Sequence, residues 1–116
     1  MFQALTAVDN QQRFHRNYGE LGFALKDQSQ PDWAAAESAL SKAIEIRDRL
    51  GAPGFGEYEF NRAICRIHLD RPRDEVEKDF RQAATDEWVR TWKPDDREVQ
   101  RWLTETGLSW SGLGFL

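Results

Sequence analysis

Residues 17–51 read NYGELGFALKDQSQPDWAAAESALSKAIEIRDRLG, and this segment decides the fold of the chain. It holds two amphipathic helical patterns separated by a polar turn. In the first pattern, apolar residues recur at steps of four, three and four, as one stripe of an α-helix requires: Phe14, Tyr18, Leu21 and Leu25. The second pattern has two stripes that share Ala43: Ala36, Leu40 and Ala43, and Ala39, Ala43, Ile46 and Leu50. The segment predicts a helical hairpin with a wide seam of small residues.

The turn between the two patterns, KDQSQPDW, carries the signals that end one helix and start the next. Ser29 is expected to cap the second helix, and Pro31 is tolerated in a first helical turn. Asp32 would favour the positive end of the same helix. At the other end, Gly51 is the expected C-terminal stop.

Further helices are predicted on both sides of this hairpin. Phe2, Leu5 and Val8 suggest a short lead-in helix, and Asp9 or Asn10 would cap the helix that follows. The glycine-rich segment GAPGFGEY, residues 51–58, is predicted to be a hinge. The predicted helices span about 10–26, 31–50, 57–69, from 73 or 74 with a continuation or restart at 85, and 95–106. An uncharged, aromatic tail follows at 107–116, and it is expected to be docked.

Composition narrows the class of protein. The chain has 116 residues, 31% of them charged, and a net charge of −4, so one domain over residues 1–106 is expected and nucleic acid is not the expected partner. A single cysteine, Cys65, excludes an intramolecular disulfide and a multi-cysteine metal site. No apolar run approaches a membrane span, and the N-terminus lacks the pattern of a signal peptide. We therefore expect a cytoplasmic protein without membrane association.

Residues that could carry out catalysis are few. The sequence contains no metalloprotease, nucleophile-elbow, paired-cysteine or phosphate-loop motif. Cys65 lies inside a predicted helix, where a small buried thiol is the usual outcome. His15 has no partner at ligand spacing, whereas His68 lies three residues from Cys65. We expect no enzyme, no cofactor and no metal site.

The hairpin residues resemble the consensus of a tetratricopeptide repeat, and a weaker copy follows at FNRA, residues 60–63. The spacing of Val76, Phe80 and Ala83 repeats that of Ala36, Leu40 and Ala43. Gly22 and Ala63 occupy equivalent places 41 residues apart, close to the period of kinesin-light-chain repeats. The second copy departs from the pattern at Arg62 and Arg66. The resemblance implies an all-α fold of antiparallel helical hairpins, stacked as a short superhelix, with repeats at 14–50 and 57–86 and a capping helix at 95–106.

The resemblance also implies a peptide-binding groove lined by the first helix of each repeat. Carried over by position, the groove residues of the first repeat are Arg16, Glu20, Phe23, Lys26 and Asp27. Those of the second repeat are Glu57, Asn61, Ile64 and His68. Asn61 stands where peptide-binding relatives often use an asparagine on the ligand backbone, a task that suits its paired donor and acceptor. The alternative is that these residues are the solvated face of an amphipathic helix.

Arg62 and Arg66 form the centre of a basic cluster with Arg71 and Arg73. Because Arg62 and Arg66 are one helical turn apart, they could grip a carboxylate or phosphate together. The favoured alternative is structural pairing with Glu59, Asp70 or the acidic start of the fourth helix.

Tryptophan is unusually frequent in the last third of the chain, at Trp88, Trp92, Trp102 and Trp110, while Trp33 is expected to pack the first turn. These residues form either a C-terminal satellite core or an aromatic contact surface, since tryptophan is enriched at binding hot spots. The interface candidates are Trp102, Trp110 and Phe115. An array of only two repeats leaves more of its apolar packing surface uncovered than a longer array does, which favours a homodimer or an obligate partner.

The leading functional hypothesis is a non-catalytic scaffold or adaptor module that binds a peptide or partner helix through its concave face or C-terminal aromatic surface. Phe23 and Ile64 would supply burial, and Asn61 and the arginines would fix orientation. An alternative makes the chain the carrier of a C-terminal recognition peptide, residues 107–116. A third hypothesis, a small hydrolase or transferase, would need His68 and Cys65 to converge in a cleft.

Overall fold

The structure is a computed structural model, and it describes residues 13–51 and 55–110. Over these residues the chain is all-α, as predicted, without a strand. The helices are α1 (Arg13–Asp27), α2 (Trp33–Leu50), α3 (Glu57–His68), α4 (Arg73–Ala83), α5 (Glu87–Trp92) and α6 (Arg97–Thr106). The predicted lead-in helix with Phe2, Leu5 and Val8, its cap at Asp9 or Asn10, and Phe115 of the tail lie outside the described residues.

The chain divides into two compact units, Met1–Pro53 and Gly54–Leu116. The division falls inside the glycine-rich segment that the sequence predicts as a hinge. The first unit contains α1 and α2, which pack along their lengths as an antiparallel hairpin. The second contains α3 to α6, in which α4 packs against α3 and α6 also contacts α3.

The start of α2 differs from its prediction in the identity of the cap. Asp32 is the N-cap, and its side chain accepts a hydrogen bond from the Ala35 N–H at 3.0 Å. Ser29 is therefore not the cap, and Pro31 precedes the helix instead of lying in its first turn. At the other end, Gly51 has a φ of +67°, and its N–H bonds the carbonyls of Arg47 and Asp48, which confirms the predicted stop.

The seam of the first hairpin confirms the expected small-residue face. Ala36, Leu40 and Ala43 are fully buried. Leu50, expected on the neighbouring stripe, is instead 45% exposed because it lies at the very end of α2. Gly22 of α1 lies tightly against α2: a Cβ there would lie 2.6 Å from Cγ of Leu40 and 3.4 Å from the carbonyl oxygen of Ala36. Glycine is required here by space and not by backbone conformation.

Replacing Gly22 by alanine should destabilise the first hairpin by about 1–2 kcal/mol. In an open helix the change would stabilise by about 1 kcal/mol, but overpacking a core costs about 1–3 kcal/mol, and the clash with Leu40 decides the sign. Urea unfolding measures the effect. In the Leu40→Ala background, the same Gly22→Ala change should cost less, since the opposing side chain is gone; a stabilised Gly22→Ala single variant would contradict the packing described here.

The core of the second unit is centred on Phe80 of α4, which is 0% exposed. Its ring lies 5.8 Å from that of Phe60, 5.1 Å from that of Trp102 and 6.0 Å from that of Trp110, measured between centroids. Such tilted and edge-to-face pairs add stability beyond the area that they bury. Aromatic residues from α3, α4, α6 and the segment after α6 therefore meet at one point.

The helices that follow α4 begin at aspartate caps. A separate short helix, α5, starts after Asp86, so the predicted restart near Thr85 is observed two residues later. Asp96 caps α6, accepting hydrogen bonds from the backbone N–H groups of Glu98 and Val99. The helix ends at Gly107, which has a φ of +75°, so the predicted end at about 106 is confirmed.

Candidate functional site

The predicted groove residues of the first repeat lie on α1. Arg16 and Glu20 are exposed, Phe23 is half-buried, and Lys26 pairs with Asp27 at 2.8 Å. Phe23 is therefore the only one of these predicted residues that offers apolar surface. Their role in binding a partner stays a prediction.

An open groove of about 660 Å³ runs along one side of the α1–α2 hairpin. Its apolar lining includes Tyr18, Leu21 and Leu25, the same stripe that the periodicity assigns to the core. All three are only half-buried. Ser38, Ser41, Lys42 and Glu45 supply polar lining. This stripe thus contributes to a surface groove as well as to the hairpin seam.

On α3, the predicted groove residues Asn61 and Ile64 are buried. The Asn61 side-chain amide donates a 2.7 Å hydrogen bond to the Glu57 carbonyl on its own helix, and the residue is 9% exposed. Ile64 belongs to the buried hydrophobic set. In this conformation neither side chain presents much surface to a ligand.

Arg62 and Arg66 meet at one acid, Asp79 of α4. Arg62 makes two hydrogen bonds to the carboxylate, Nε to Oδ2 at 2.9 Å and Nη2 to Oδ1 at 2.6 Å. Arg66 adds a third from Nη1 to Oδ2 at 3.1 Å. The structural alternative, pairing within the fold, is thus observed. The acid that these distances identify is Asp79, in the middle of α4 beside Phe80, which is not among the partners predicted from the sequence, Glu59, Asp70 and the start of α4.

His68 and Cys65 differ in their exposure to solvent. Cys65 is fully buried, as predicted, while His68 is exposed and its Nε2 contacts a carboxylate oxygen of Glu98 on α6. A nucleophilic thiolate needs a base and an access route for substrate. The buried position of Cys65 provides no such route, and the His68 ring is directed to a carboxylate.

His15, the other histidine, is buried in the first unit. Burial lowers the pKa of His15 below its ordinary value of 6.5, and the positive charges of Arg16 and Arg47 lower it further. His15 therefore takes up its proton at a higher pH in the unfolded chain than in the folded chain. Between those two pKa values the unfolded state binds more protons, so the free energy of unfolding falls as the pH drops below 6.5.

We expect His15→Gln to reduce this acid sensitivity. The free energy of unfolding, measured by urea denaturation at pH 7.5 and at 5.5, should differ less in the variant than in the parent chain, because glutamine does not titrate. All other titrating groups are shared by the two proteins. If the free energy of unfolding depended equally on pH in both proteins, His15 would not be the source of the acid sensitivity.

The tryptophans of the second unit divide into two groups. Trp102 is buried and Trp110 half-buried, and both rings pack on Phe80, which resembles the satellite-core alternative more than a contact surface. By contrast, Trp88 and Trp92 of α5 are 56% and 63% exposed. Their ring centroids are 5.7 Å apart at an interplanar angle of 43°. We call these two residues the tryptophan pair.

The orientation of the tryptophan pair follows from how α5 is anchored. Val89, which lies about 100° around the helix from Trp88, is fully buried. Asp86 accepts a hydrogen bond from the Trp88 N–H at 2.9 Å and another from the Gly56 N–H at 3.0 Å. A Cβ on Gly56 would lie 2.5 Å from that of Asp86, so only glycine fits against the cap. The start of α5 is therefore held against the start of α3.

The aromatic contact surface considered from the sequence includes Trp88 and Trp92, but the interface candidates, Trp102, Trp110 and Phe115, do not include the tryptophan pair. One signal in the sequence points to it. Glu87 and Thr91 precede the two tryptophans with the same four-residue spacing, so the helix face that carries the indoles also carries polar residues. Apart from the two tryptophans, Val89 is the only apolar residue of this six-residue helix, so it is the residue that can face the core when both indoles face solvent.

Two searches of the described residues concern metals and membranes. In residues 13–51 and 55–110, no cluster of three histidine, cysteine or acidic side chains is arranged to bind a metal ion. Within the same part of the chain, no helix combines the length and the apolar character needed to cross a bilayer.

No protein-family model, curated protein or solved structure matches this chain.

Proposed function

We propose that this chain is a non-catalytic protein-interaction module that holds a protein or peptide partner on the tryptophan pair. The observation that carries the proposal is the exposure of two neighbouring indoles, 56% and 63%, in a unit whose other tryptophans pack inward. Soluble chains rarely leave large aromatic rings side by side in water without a use for them. Tryptophan is also the residue most enriched among interface hot spots.

The anchoring of α5 supports the same proposal. A binding surface gains affinity when its side chains are held in place before the partner arrives, because less conformational entropy is lost on association. Asp86 bonds both Gly56 and the first turn of α5, and Val89 is buried beneath the helix. The tryptophan pair therefore projects from a backbone that is tied to the core of the second unit.

We also propose a protein family and a cellular compartment for this chain. The chain is a divergent two-repeat protein of the tetratricopeptide type, with α1–α2 and α3–α4 as its hairpins. The predicted repeats at 14–50 and 57–86 begin and end near these helices, which supports the assignment. A buried thiol at Cys65 fits a reducing compartment, and we propose the cytoplasm. The partner is another protein, or a second copy of this chain.

Photo-crosslinking tests the proposal directly. A photoreactive amino acid at Thr91, which lines the same depression as the two indoles, should crosslink a partner in the cells that produce the chain, and the crosslinked protein is then identified and purified. A matched probe at Gln82, an exposed position on α4, serves as the control. Binding of the purified partner is measured by calorimetry against the parent chain and a Trp88→Ala, Trp92→Ala double variant.

We expect crosslinking from Thr91 well above that from Gln82, and at least about a hundredfold weaker binding in the double variant, the size of a hot-spot loss. A variant with Lys42→Ala in the first unit should bind like the parent. Equal binding by the double variant would overturn the proposal. So would a partner whose binding needs residues 111–116 and ignores the tryptophan pair, since that partner would recognise the tail.

A further inference from the structure

We infer that the tryptophan pair, together with Glu87, forms a binding site for a positively charged side chain, and specifically for an arginine presented by the partner. This inference rests on the proposed function, because it names the chemistry of the partner at the same surface. It goes beyond that function in assigning a ligand class and a third residue, Glu87, to the site.

The site is an open depression of about 340 Å³ on α5, lined by Glu87, Trp88, Thr91 and Trp92. These residues occupy two neighbouring rows of one helix, each row with a spacing of four. One row presents the two indole rings, 5.7 Å apart and tilted by 43°. The other presents a carboxylate and a hydroxyl group. A ligand in the depression therefore meets aromatic surface and negative charge together.

This combination favours a cation. The face of an indole ring is electron-rich, and a guanidinium or ammonium group within about 6 Å of its centroid is attracted to it. Glu87 adds a formal negative charge and makes no ion pair with any residue in the described part of the chain. The chain as a whole carries a net charge of −4, which favours approach of a basic partner.

The cations nearest along the sequence are engaged elsewhere in the second unit. Nη1 of Arg90 donates a 3.2 Å hydrogen bond to the Ala84 carbonyl. Nζ of Lys93 lies over the Phe60 ring, 5.6 Å from its centroid. Neither side chain lines the depression. No lysine or arginine of the described residues lines the depression, so the cation that the site suits is assigned to the partner.

Other ligand classes fit the site less well. An acidic ligand would place its charge beside Glu87. A purely apolar side chain would cover the carboxylate without replacing its hydrogen bonds to water, which is costly. Arginine suits both the indole rings and Glu87, because its planar guanidinium stacks on an aromatic ring while its N–H groups donate hydrogen bonds to a carboxylate.

The test uses nuclear magnetic resonance of the indole N–H groups in the full chain, with Trp88 and Trp92 assigned from single phenylalanine variants. The probe is the peptide acetyl-Gly-Arg-Gly-Arg-Gly-amide. Its control replaces both arginines by citrulline, which has nearly the same shape and no charge. We expect the arginine peptide to shift the Trp88 and Trp92 resonances saturably and to bind about fivefold more tightly than the citrulline peptide.

The matched variants are Glu87→Gln and Glu105→Gln. Both remove one carboxylate from an exposed position in the second unit, so their net charge is equal. Glu87→Gln should weaken binding of the arginine peptide about threefold and leave that of the citrulline peptide unchanged. Glu105→Gln should leave both unchanged. Equal effects of the two variants would overturn the role of Glu87.

The remaining outcomes separate this inference from the proposed function. If the arginine and citrulline peptides bind equally, or if vesicles of phosphatidylcholine shift the pair and the arginine peptide does not, the cation site is wrong. The proposed function survives either result as long as the partner crosslinked at Thr91 still requires the tryptophan pair. If that partner does not require the pair, the proposed function fails, whatever the peptides do.

Discussion

Replacing Asp79 by asparagine should destabilise the second unit by about 3 kcal/mol or more, the largest effect of any single change of charge that we expect. The Asp79 side chain is 3% exposed and accepts three hydrogen bonds from two arginines, whose side chains are 16% and 18% exposed. Breaking a buried ion pair by removing one partner typically costs about 3–5 kcal/mol, because the other charge stays buried. Small domains have only about 5–15 kcal/mol to lose.

Urea unfolding followed by circular dichroism measures this loss. The matched control is Glu77→Gln, two residues away on α4, which removes a 3.4 Å surface pair with Arg81 and should change stability by no more than about 0.5 kcal/mol. A triple variant, Arg62→Met, Arg66→Met and Asp79→Leu, should be more stable than Asp79→Asn alone, because neither arginine is left facing a neutral side chain at position 79. If Asp79→Asn costs no more than Glu77→Gln, the buried network contributes nothing.

Replacing Phe80 by alanine should cost about 3–5 kcal/mol and disrupt the aromatic core of the second unit. The side chain is fully buried and contacts the rings of Phe60, Trp102 and Trp110, so its removal leaves a cavity that three large rings cannot close. Unfolding by urea gives the free energy. Near-ultraviolet circular dichroism, which reports the environment of aromatic side chains, should lose intensity in the variant.

Phe80→Leu is the control for this change, because it keeps most of the volume and removes only the ring contacts. It should cost clearly less than the alanine variant. A loss below about 1 kcal/mol for Phe80→Ala would show that the ring cluster is not the centre of the core.

Much of the helical fold could be predicted from local signals. Gly51 and Gly107 end their helices with left-handed conformations, and the apolar spacing of Ala36, Leu40 and Ala43 correctly identified a buried seam. These features depend on residues close together in sequence. The cap of α2 was misassigned because Ser29 and Asp32 are both good capping residues, and the choice depends on where the chain leaves the turn.

The stripe of α1 shows the limit of periodicity. Tyr18, Leu21 and Leu25 recur as a core stripe should, yet they are half-buried and line a groove. Periodicity identifies which residues share a face. It does not tell how much of that face the opposing helix covers, which here depends on small residues such as Ala39 on α2.

The same limit explains why the partner of Arg62 and Arg66 was missed. Asp79 lies on the inward stripe of α4 between Val76 and Phe80, a position where an acid is unexpected unless a cation faces it. Arg62 and Arg66, one turn apart on α3, are the cations whose presence explains a buried acid at position 79. The pairing depends on how the inward faces of α3 and α4 meet, and nearness in sequence to the arginines does not reveal it.

The tryptophan pair could not be predicted from composition because four tryptophans compete for one small core. Only the phase of α5, set by Asp86 and Gly56, decides that Val89 turns inward and the two indoles outward. A shift of that helix start by one residue would rotate its faces by about 100°. The candidate site therefore depends on a contact between residues 30 positions apart.

The most direct test of the central claim is oxidative footprinting of the tryptophans, read by mass spectrometry, on the purified chain and inside the cells that produce it. In the purified chain, Trp88 and Trp92 should oxidise faster than Trp102, whose ring is packed on Phe80. Inside the cell the tryptophan pair should be protected, while half-buried Trp33 in the first unit reacts equally in both samples. Equal oxidation of Trp88 and Trp92 in the two samples would mean that no partner covers them, and would contradict the claim.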